Sequence, residues 1–320
     1  MKFSKLSKLG ALALAFAATA CSSVSSEFDT SKAIKLYSRS AGSGTRECFF
    51  EGIGYSEVKA EDKWESGVTV SSVESNADIM SNVGGEEYAI GYCSLDSVSS
   101  VSTIKALKFE GVEATKENVL NGTYKLKRNF NYVLRNYDDA ADASKKQACE
   151  GFIDFLTNTT EGQTVISTNG GIISARTDLK SFKDIESKYA IFTSDEQLNI
   201  DFCGSTSVET IIKAAVEKLT SLVSNKKLTY TLNQSGSGDA VNGITEGKNG
   251  KLFGIGFLSR EIKTDEAAKL TDDNTRGSFA IDAVVPIVNA KNTSYTETTA
   301  EELTKMYKGE YKVWSDVLSK

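Results

Sequence analysis

Histidine is absent from all 320 residues, and proline occurs once, at position 286. Without histidine the chain lacks the commonest general base and the commonest zinc ligand. No two of the five cysteines stand in C-x-x-C spacing, so neither a zinc site nor a histidine relay is expected, and no cofactor is called for. Nor does any cysteine begin a C-x-x-x-x-x-R arrangement, the signature of thiol phosphatases. Positive charge is also in deficit: 37 Lys and Arg stand against 43 Asp and Glu, a formal charge of -6. An acidic chain of this kind is a poor partner for nucleic acid or for an anionic membrane surface. It can still hold an anion, but only with locally aimed donors, because the net field repels the ligand.

The first residues carry Lys2, Lys5 and Lys8, then an apolar run through Leu12, Leu14 and Phe16, then Ala18, Thr19 and Ala20 before Cys21. This order of charge, apolar run and small residues is that of a secretory leader, 1–20, ending in a lipobox with Cys21 as the lipidated residue. A plain signal peptide cut elsewhere is the alternative. The apolar run is too short to span a membrane comfortably, and the Ser-rich tether over 21–31 has no second run to stop transfer. Removing the leader takes away three lysines and moves the formal charge from -6 to -9. Cys48, Cys93, Cys149 and Cys203 remain; their spacing allows three pairings and is equally consistent with buried free thiols.

Three β-like runs each lead into a loop rich in Gly and Ser. Residues 34–38 precede Ser40-Ala41-Gly42-Ser43-Gly44-Thr45, residues 198–203 precede Gly204-Ser205-Thr206-Ser207, and residues 228–232 precede Ser235-Gly236-Ser237-Gly238. After the second loop, Val208, Ile211, Ile212, Ala215, Val216, Leu219 and Leu222 recur at the spacing of an amphipathic helix. Further β-rich pieces are expected at 89–92, 132–134, 253–257 and 281–288, and helices over 142–157, 205–223 and 299–308. Strands alternating with helices predict an α/β fold with substantially parallel sheets.

A helix N-terminus presents unpaired N–H groups and the positive end of the peptide dipole, so such loops can hold an anion with little formal charge. Arg39 stands just before the first loop, where it adds one cation to the hydroxyls of Ser43 and Thr45. Gly-Ser runs also make ordinary turns, and a lone arginine is often a surface ion-pair partner. Three loops after three strands favour a ligand.

The stretch Arg39 to Arg46 closely resembles the phosphate-binding proteins of ABC-type phosphate importers. Ala89 to Leu95, Asn121 to Arg128 and Phe152 to Gln163 resemble the latter part of that family. Cys203 to Val208, Gly236 to Gly238, Ile255 to Glu261, Leu303 to Gly309 and Trp314 to Asp316 resemble its beginning. The resemblance therefore implies a two-lobe, type II periplasmic-binding-protein-like fold with circularly permuted halves and a ligand cleft between the lobes. The former ends would be joined through about 177–193, a change that an exposed loop tolerates. One lobe would combine 32–118 with 290–320, the other would run over 119–289, and the chain would cross between them near 119 and 289. Carried over by resemblance, Arg39, Ser43, Gly44 and Thr45 hold phosphate from the first lobe, and Thr206, Ser207, Ser237 and Ser259 meet it from the second. Some family members have an aspartate where Ser259 stands and another where Ala41 stands; this chain has neither. Glu47 and Asp239 could supply an acceptor, although acids near a helix start ordinarily serve the helix.

The function implied is a lipid-anchored binding protein on the extracellular face of the membrane, or in the periplasm. It captures inorganic phosphate and hands it to an ABC-importer permease, touching the membrane through its N-terminal lipid only. A monomer without catalytic residues or nucleic-acid contacts is expected. A binding protein for sulfate, molybdate or tungstate is the nearest alternative, kept open by the missing aspartates, and a surface phosphatase is the alternative from another class.

Overall fold

The alternation of residues 34–38 becomes strand β1 (Lys35–Arg39), whose Leu36, Ser38 and Arg39 point into the protein. The structure, a computed structural model, describes residues 28–98, 101–271 and 276–319. The leader, Cys21 and the tether up to residue 27 lie outside the described residues.

β1 lies between two parallel neighbours, β2 (Val70–Val73) and β3 (Ala89–Ser94). Two short strands, β4 (Ile104–Ala106) and β5 (Lys108–Phe109), follow. After β6 (Lys127–Leu134), a second parallel group forms, with β7 (Leu198–Gly204) between β8 (Leu228–Gln234) and β9 (Ile255–Leu258). β10 (Arg276–Asn289) joins the groups, and β11 (Glu297–Thr298) pairs with β5 alone. The main path reads β2-β1-β3-β10-β6-β9-β7-β8, with β4 attached to β10. The sheet is thus mixed rather than substantially parallel. Parallel pairing holds within each group, but β6 and β10 carry the chain between the groups and run antiparallel to each other and to their neighbours.

The helices are α1 (Gly44–Gly52), α2 (Asn76–Gly85), α3 (Leu95–Val98), α4 (Lys116–Leu120), α5 (Ala143–Asn158) and α6 (Thr160–Thr168). They continue with α7 (Phe182–Glu186), α8 (Glu209–Leu222), α9 (Asp239–Thr245), α10 (Thr264–Ala267), α11 (Ala300–Tyr307) and α12 (Ser315–Leu318). In α8 the predicted stripe packs inward, with Ile211, Ile212, Ala215 and Leu219 buried. α2 and α11 start with reciprocal capping boxes, Ser75 with Asp78 and Thr299 with Glu302, which satisfy N–H groups that a helix start leaves open.

Two large apolar clusters flank the antiparallel centre. One gathers Phe152, Phe155, Phe202, Tyr230 and Phe257, all from between residues 130 and 280. The other gathers Phe49, Phe50, Tyr92, Tyr307 and Trp314, from residues up to 126 and from 283 onward, with Ile172 added. β10 changes partner inside the strand: Arg276 to Ala283 pair with β6, and Val284 onward pair with β3. The passage from one group to the other is therefore at Ala283–Val284, rather than in a connection near 289.

Pro286 sits within β10, opposite Tyr92, and so neither ends a strand nor occupies an edge. Its carbonyl accepts from Leu107 N at 2.9 Å, on the β4 side, and the nitrogen of a strand residue faces the same way as its carbonyl. β4 pairing stops at Ile287 with Ala106, so the missing N–H falls just past the ladder.

Both ends of the described chain meet. Ile34 N donates to Lys312 O at 2.9 Å, Trp314 N to Lys32 O at 3.1 Å and Ser315 N to Thr30 O at 2.7 Å. Among the described residues no helix is long and apolar enough to cross a membrane. The four body cysteines are free thiols, and burial pushes Cys48, Cys149 and Cys203 up to about 12.

Candidate anion-binding site

β1 of one parallel group and β7, β8 and β9 of the other bring their C-terminal ends to a common place, and the C-terminal ends of parallel strands are where open α/β sheets hold ligands. After β1, Gly42 takes φ +83°, a conformation that favours glycine, and turns the chain so that Ser43 caps α1 by accepting from Arg46 N at 3.4 Å. Gly44 and Thr45 form the first turn of α1, where N–H groups have no partner within the helix. After β7, Ser205 Oγ accepts from Ser207 N at 3.1 Å and starts the short turn that feeds α8. After β8, Ser235 N and Gly236 N both donate to Gly204 O, at 2.9 and 2.8 Å, which folds the third loop over the second.

All eight residues expected at the site converge. Thr45 Oγ1 and Ser207 Oγ share a hydrogen bond of 2.9 Å, and Arg39 Nη2 donates to Thr206 Oγ1 at 3.2 Å. Ser259 N donates to Ser237 Oγ at 3.0 Å, and Ser205 and Ser259 hydroxyls lie 2.7 Å apart. Gly44 is packed so closely against this pair of serines that a Cβ there would stand 2.3 Å from Ser259 Oγ and 2.8 Å from Ser237 Oγ. Ser43, Thr206 and Ser207 border a cleft of about 910 Å³ that also takes in Arg39, Asn76 and Gln234.

Arg39 is the only formal charge contributed by the eight. It is 2% exposed, and its partners are all neutral: Thr45 Oγ1 at 3.4 Å, Asn76 Oδ1 at 2.8 Å, Glu74 O at 2.5 Å and Thr206 Oγ1. Its buried Nε has no hydrogen-bond partner. Burial, helped by the nearby Arg128 charge, pushes its pKa down to about 10. Arg46, seven residues on and equally buried, makes the contrast: it forms an ion pair with Asp62 at 2.6 Å and donates to the carbonyls of Val58, Glu61 and Arg39. Arg46 is thus satisfied within the protein, whereas Arg39 is a buried cation with no carboxylate in ion-pair contact among the described residues, although Glu74 and Asp78 lie near it. Such a charge is costly unless an anion joins it.

Residues that sequence reasoning did not assign complete the surroundings. Arg128 Nη1 donates to Thr45 Oγ1 at 2.9 Å, while its Nε and Nη2 hold Asp282 Oδ2 at 3.1 and 2.7 Å. The available signal for Asp282 was a lone acid inside an apolar strand; Arg128 stood at the end of a stretch already noted for its resemblance. Asn76 and the Glu74 carbonyl arrive from the start of α2 and carried no signal. Glu47 and Asp239 are engaged elsewhere: Glu47 with Arg260 at 2.7 Å and Lys263 at 3.2 Å, Asp239 with Lys248 at 2.7 Å. No group of three or more potential metal ligands occurs among the described residues.

Proteins of known type share this architecture. A model of the PBP superfamily domain matches residues 192–320. The "Phosphate-binding protein PstS 2" of Streptococcus agalactiae is 30% identical over 289 residues, 89% of this chain and 87% of its own length. The chain belongs to that phosphate-binding protein family. The family member of Streptococcus pneumoniae serotype 4, with the same name, is 28% identical over 323 residues and matches end to end, covering 99% of this chain and all of its own. A crystal structure described as the phosphate-binding protein of a phosphate ABC transporter from S. pneumoniae superposes with a TM-score of 0.65 at 27% identity, covering 89% of this chain and 100% of that one. The α/β fold found here is thus shared with that structure.

Proposed function

We propose that this protein captures inorganic phosphate in a cleft between two lobes, one built on the β1–β3 group and one on the β7–β9 group, and delivers it to the permease of an ABC importer. The observation that carries the proposal is Arg39, a buried cation with only neutral partners, set among hydroxyls and the first turn of a helix. A small oxyanion supplies the missing negative charge there, and hydrogen bonds from the cationic Arg39 and from the neutral donors of Ser43, Gly44, Thr45, Thr206, Ser207, Ser237 and Ser259 divide its oxygens among them. The hydroxyl-to-hydroxyl bonds of the site are those that the ligand would exchange for its own. The names of the streptococcal relatives support phosphate as the anion.

The proposal extends to the chain's order and address. The superfamily model begins at residue 192, just before β7, where the resemblance puts the start of the family's usual order, and the two ends of the chain are hydrogen-bonded neighbours. Both support a circular permutation, one shared with the pneumococcal relative that matches end to end. Lipid on Cys21 would hold a monomer at the outer face of the membrane.

Isothermal titration of the chain from residue 22 with phosphate, then sulfate, tests the function. Phosphate is expected to bind in the micromolar range or tighter, about -8 kcal/mol or better, and Arg39→Ala to weaken it by at least about a hundredfold. Preference for sulfate would move the protein to another oxyanion, and release of phosphate from a chromogenic ester would make it an enzyme.

A further inference from the structure

Arg128 and Asp282 are cross-strand partners on β6 and β10, the two strands at the antiparallel centre of the sheet, and both are buried, at 6% and 0% exposure. A buried ion pair is a costly way to join two strands, since an apolar pair of similar volume serves the sheet as well. This pair has a third arm. Asp282 Oδ2 takes Arg128 Nε and Nη2, Ser94 Oγ donates to Asp282 Oδ1 at 2.7 Å, and the remaining Nη1 of Arg128 is left to donate to Thr45 Oγ1 at 2.9 Å. Arg39 Nη1 approaches the same oxygen at 3.4 Å.

A threonine hydroxyl has one proton to give and two lone pairs with which to accept. With two guanidinium donors aimed at its oxygen, Thr45 has its accepting capacity taken, and its proton must be directed elsewhere. The group it meets is Ser207 Oγ at 2.9 Å, across the site. We propose that Arg128, held in place by Asp282, is a positioning residue that fixes Thr45 as an obligate proton donor into the anion site, so that the site favours an oxyanion carrying no proton at that position. The inference rests on the phosphate reading and deepens it. A phosphate oxygen that bears a proton is turned from Thr45 toward Ser205, Ser237 and Ser259, whose linked hydroxyls can reverse direction and accept.

The test is a pair of phosphate titrations, one below and one above the second ionisation of phosphate, on the mature chain and on Arg128→Met/Asp282→Leu, which removes both charges together. With no histidine in the chain, few protein groups titrate in that interval, so the change reports the ligand. In the double variant Thr45 is free to accept as well as donate. The dianion should lose affinity about tenfold and the monoanion only about threefold, narrowing the preference between them. An equal loss for both forms, or no loss, would mean that the pair only braces the strands, and would overturn the proposal. Should the double variant fail to fold, Arg128→Lys takes its place, because an ammonium cannot hold Asp282 with two nitrogens and reach Thr45 with a third. The same narrowing is expected there, and an unchanged ratio overturns the inference. A wild-type chain that binds no phosphate at either pH would remove the functional proposal itself, an outcome separate from a wild type that binds and a variant that loses both forms equally.

Discussion

Arg39 and Arg46 begin and end one short motif and are both buried, yet only the three-dimensional partners tell the proposed ligand residue from the structural one. Arg46 lies against the rings of Phe50 and Trp64 and is paired with Asp62, so it holds the loop after α1 to the helix. Arg39 has dipoles for partners and an unmatched charge. Gly44 is the second decisive position. Its lack of a side chain lets the start of α1 approach Ser237 and Ser259, and a methyl group there would meet backbone-anchored hydroxyls rather than flexible chain ends. Gly44→Ala should therefore raise the dissociation constant for phosphate by on the order of a hundredfold, roughly 2.7 kcal/mol. Thermal unfolding without ligand should also move to lower temperature, because the new Cβ presses on both hydroxyls and lies 3.0 Å from the Ser259 carbonyl whether or not phosphate is bound, even though φ here is not in the left-handed region. Calorimetry and a melting curve on the same sample check both halves of that statement.

Among the elements, those on the outer side of the sheet follow a pattern that a sequence displays openly. β7, β8 and α8 were readable because each has one wet and one dry face, so that period 2 or period 3.6 appears in the residues. The short helix α1 was not, since Gly44, Thr45, Arg46, Glu47 and Cys48 have no apolar stripe; it is a helix because Ser43 caps it and Phe49 and Phe50 anchor its end in the core. β6 and β10 are longer than their apolar stretches, reaching back to Lys127 and Arg276. They pass through the junction of the two sheet groups, where an ion pair replaces hydrophobic contact, and polar residues there read as loop. The site loops were legible as loops with donors; the Arg128–Asp282 support was not, because its members lie 154 residues apart in sequence. α2 belongs to the same lesson, for its start carries Asn76 to Arg39 without any motif. Ser75→Ala removes half of its capping box and should cost about 1 kcal/mol in chemical denaturation, with a smaller secondary loss of phosphate affinity as Asn76 loses its fixed position.

At the scale of the whole molecule, the two proposed lobes have a fastening outside the proposed ligand site. Glu47, on α1 beside the first loop, forms ion pairs with Arg260 Nε at 2.7 Å and Lys263 Nζ at 3.2 Å from the segment after Ser259, and Arg260 is steadied by Glu266 at 2.6 Å. Glu47, Arg260 and Glu266 are all buried, so this contact is shielded from solvent and salt. Because it links the two proposed lobes next to the candidate anion site, Glu47→Gln should favour an open form and speed phosphate release by about tenfold, measurable by stopped-flow displacement, with the association rate nearly unchanged. An acidic protein that binds an anion depends on such local arrangements throughout, since its net charge of -6 works against capture.

The central claim is that the buried charge of Arg39 is completed by phosphate. Thermal unfolding of the wild type and of Arg39→Met, each with and without phosphate, tests it most directly. Without ligand, Arg39→Met should be at least as stable as the wild type, because an uncompensated buried cation has been replaced by an apolar side chain. Phosphate at about a hundred times the wild-type dissociation constant should stabilise the wild type by about 2.7 kcal/mol and the variant by no more than about 0.4 kcal/mol. A variant that is destabilised without ligand, yet still gains as much from phosphate as the wild type, would make Arg39 a structural arginine and contradict the account.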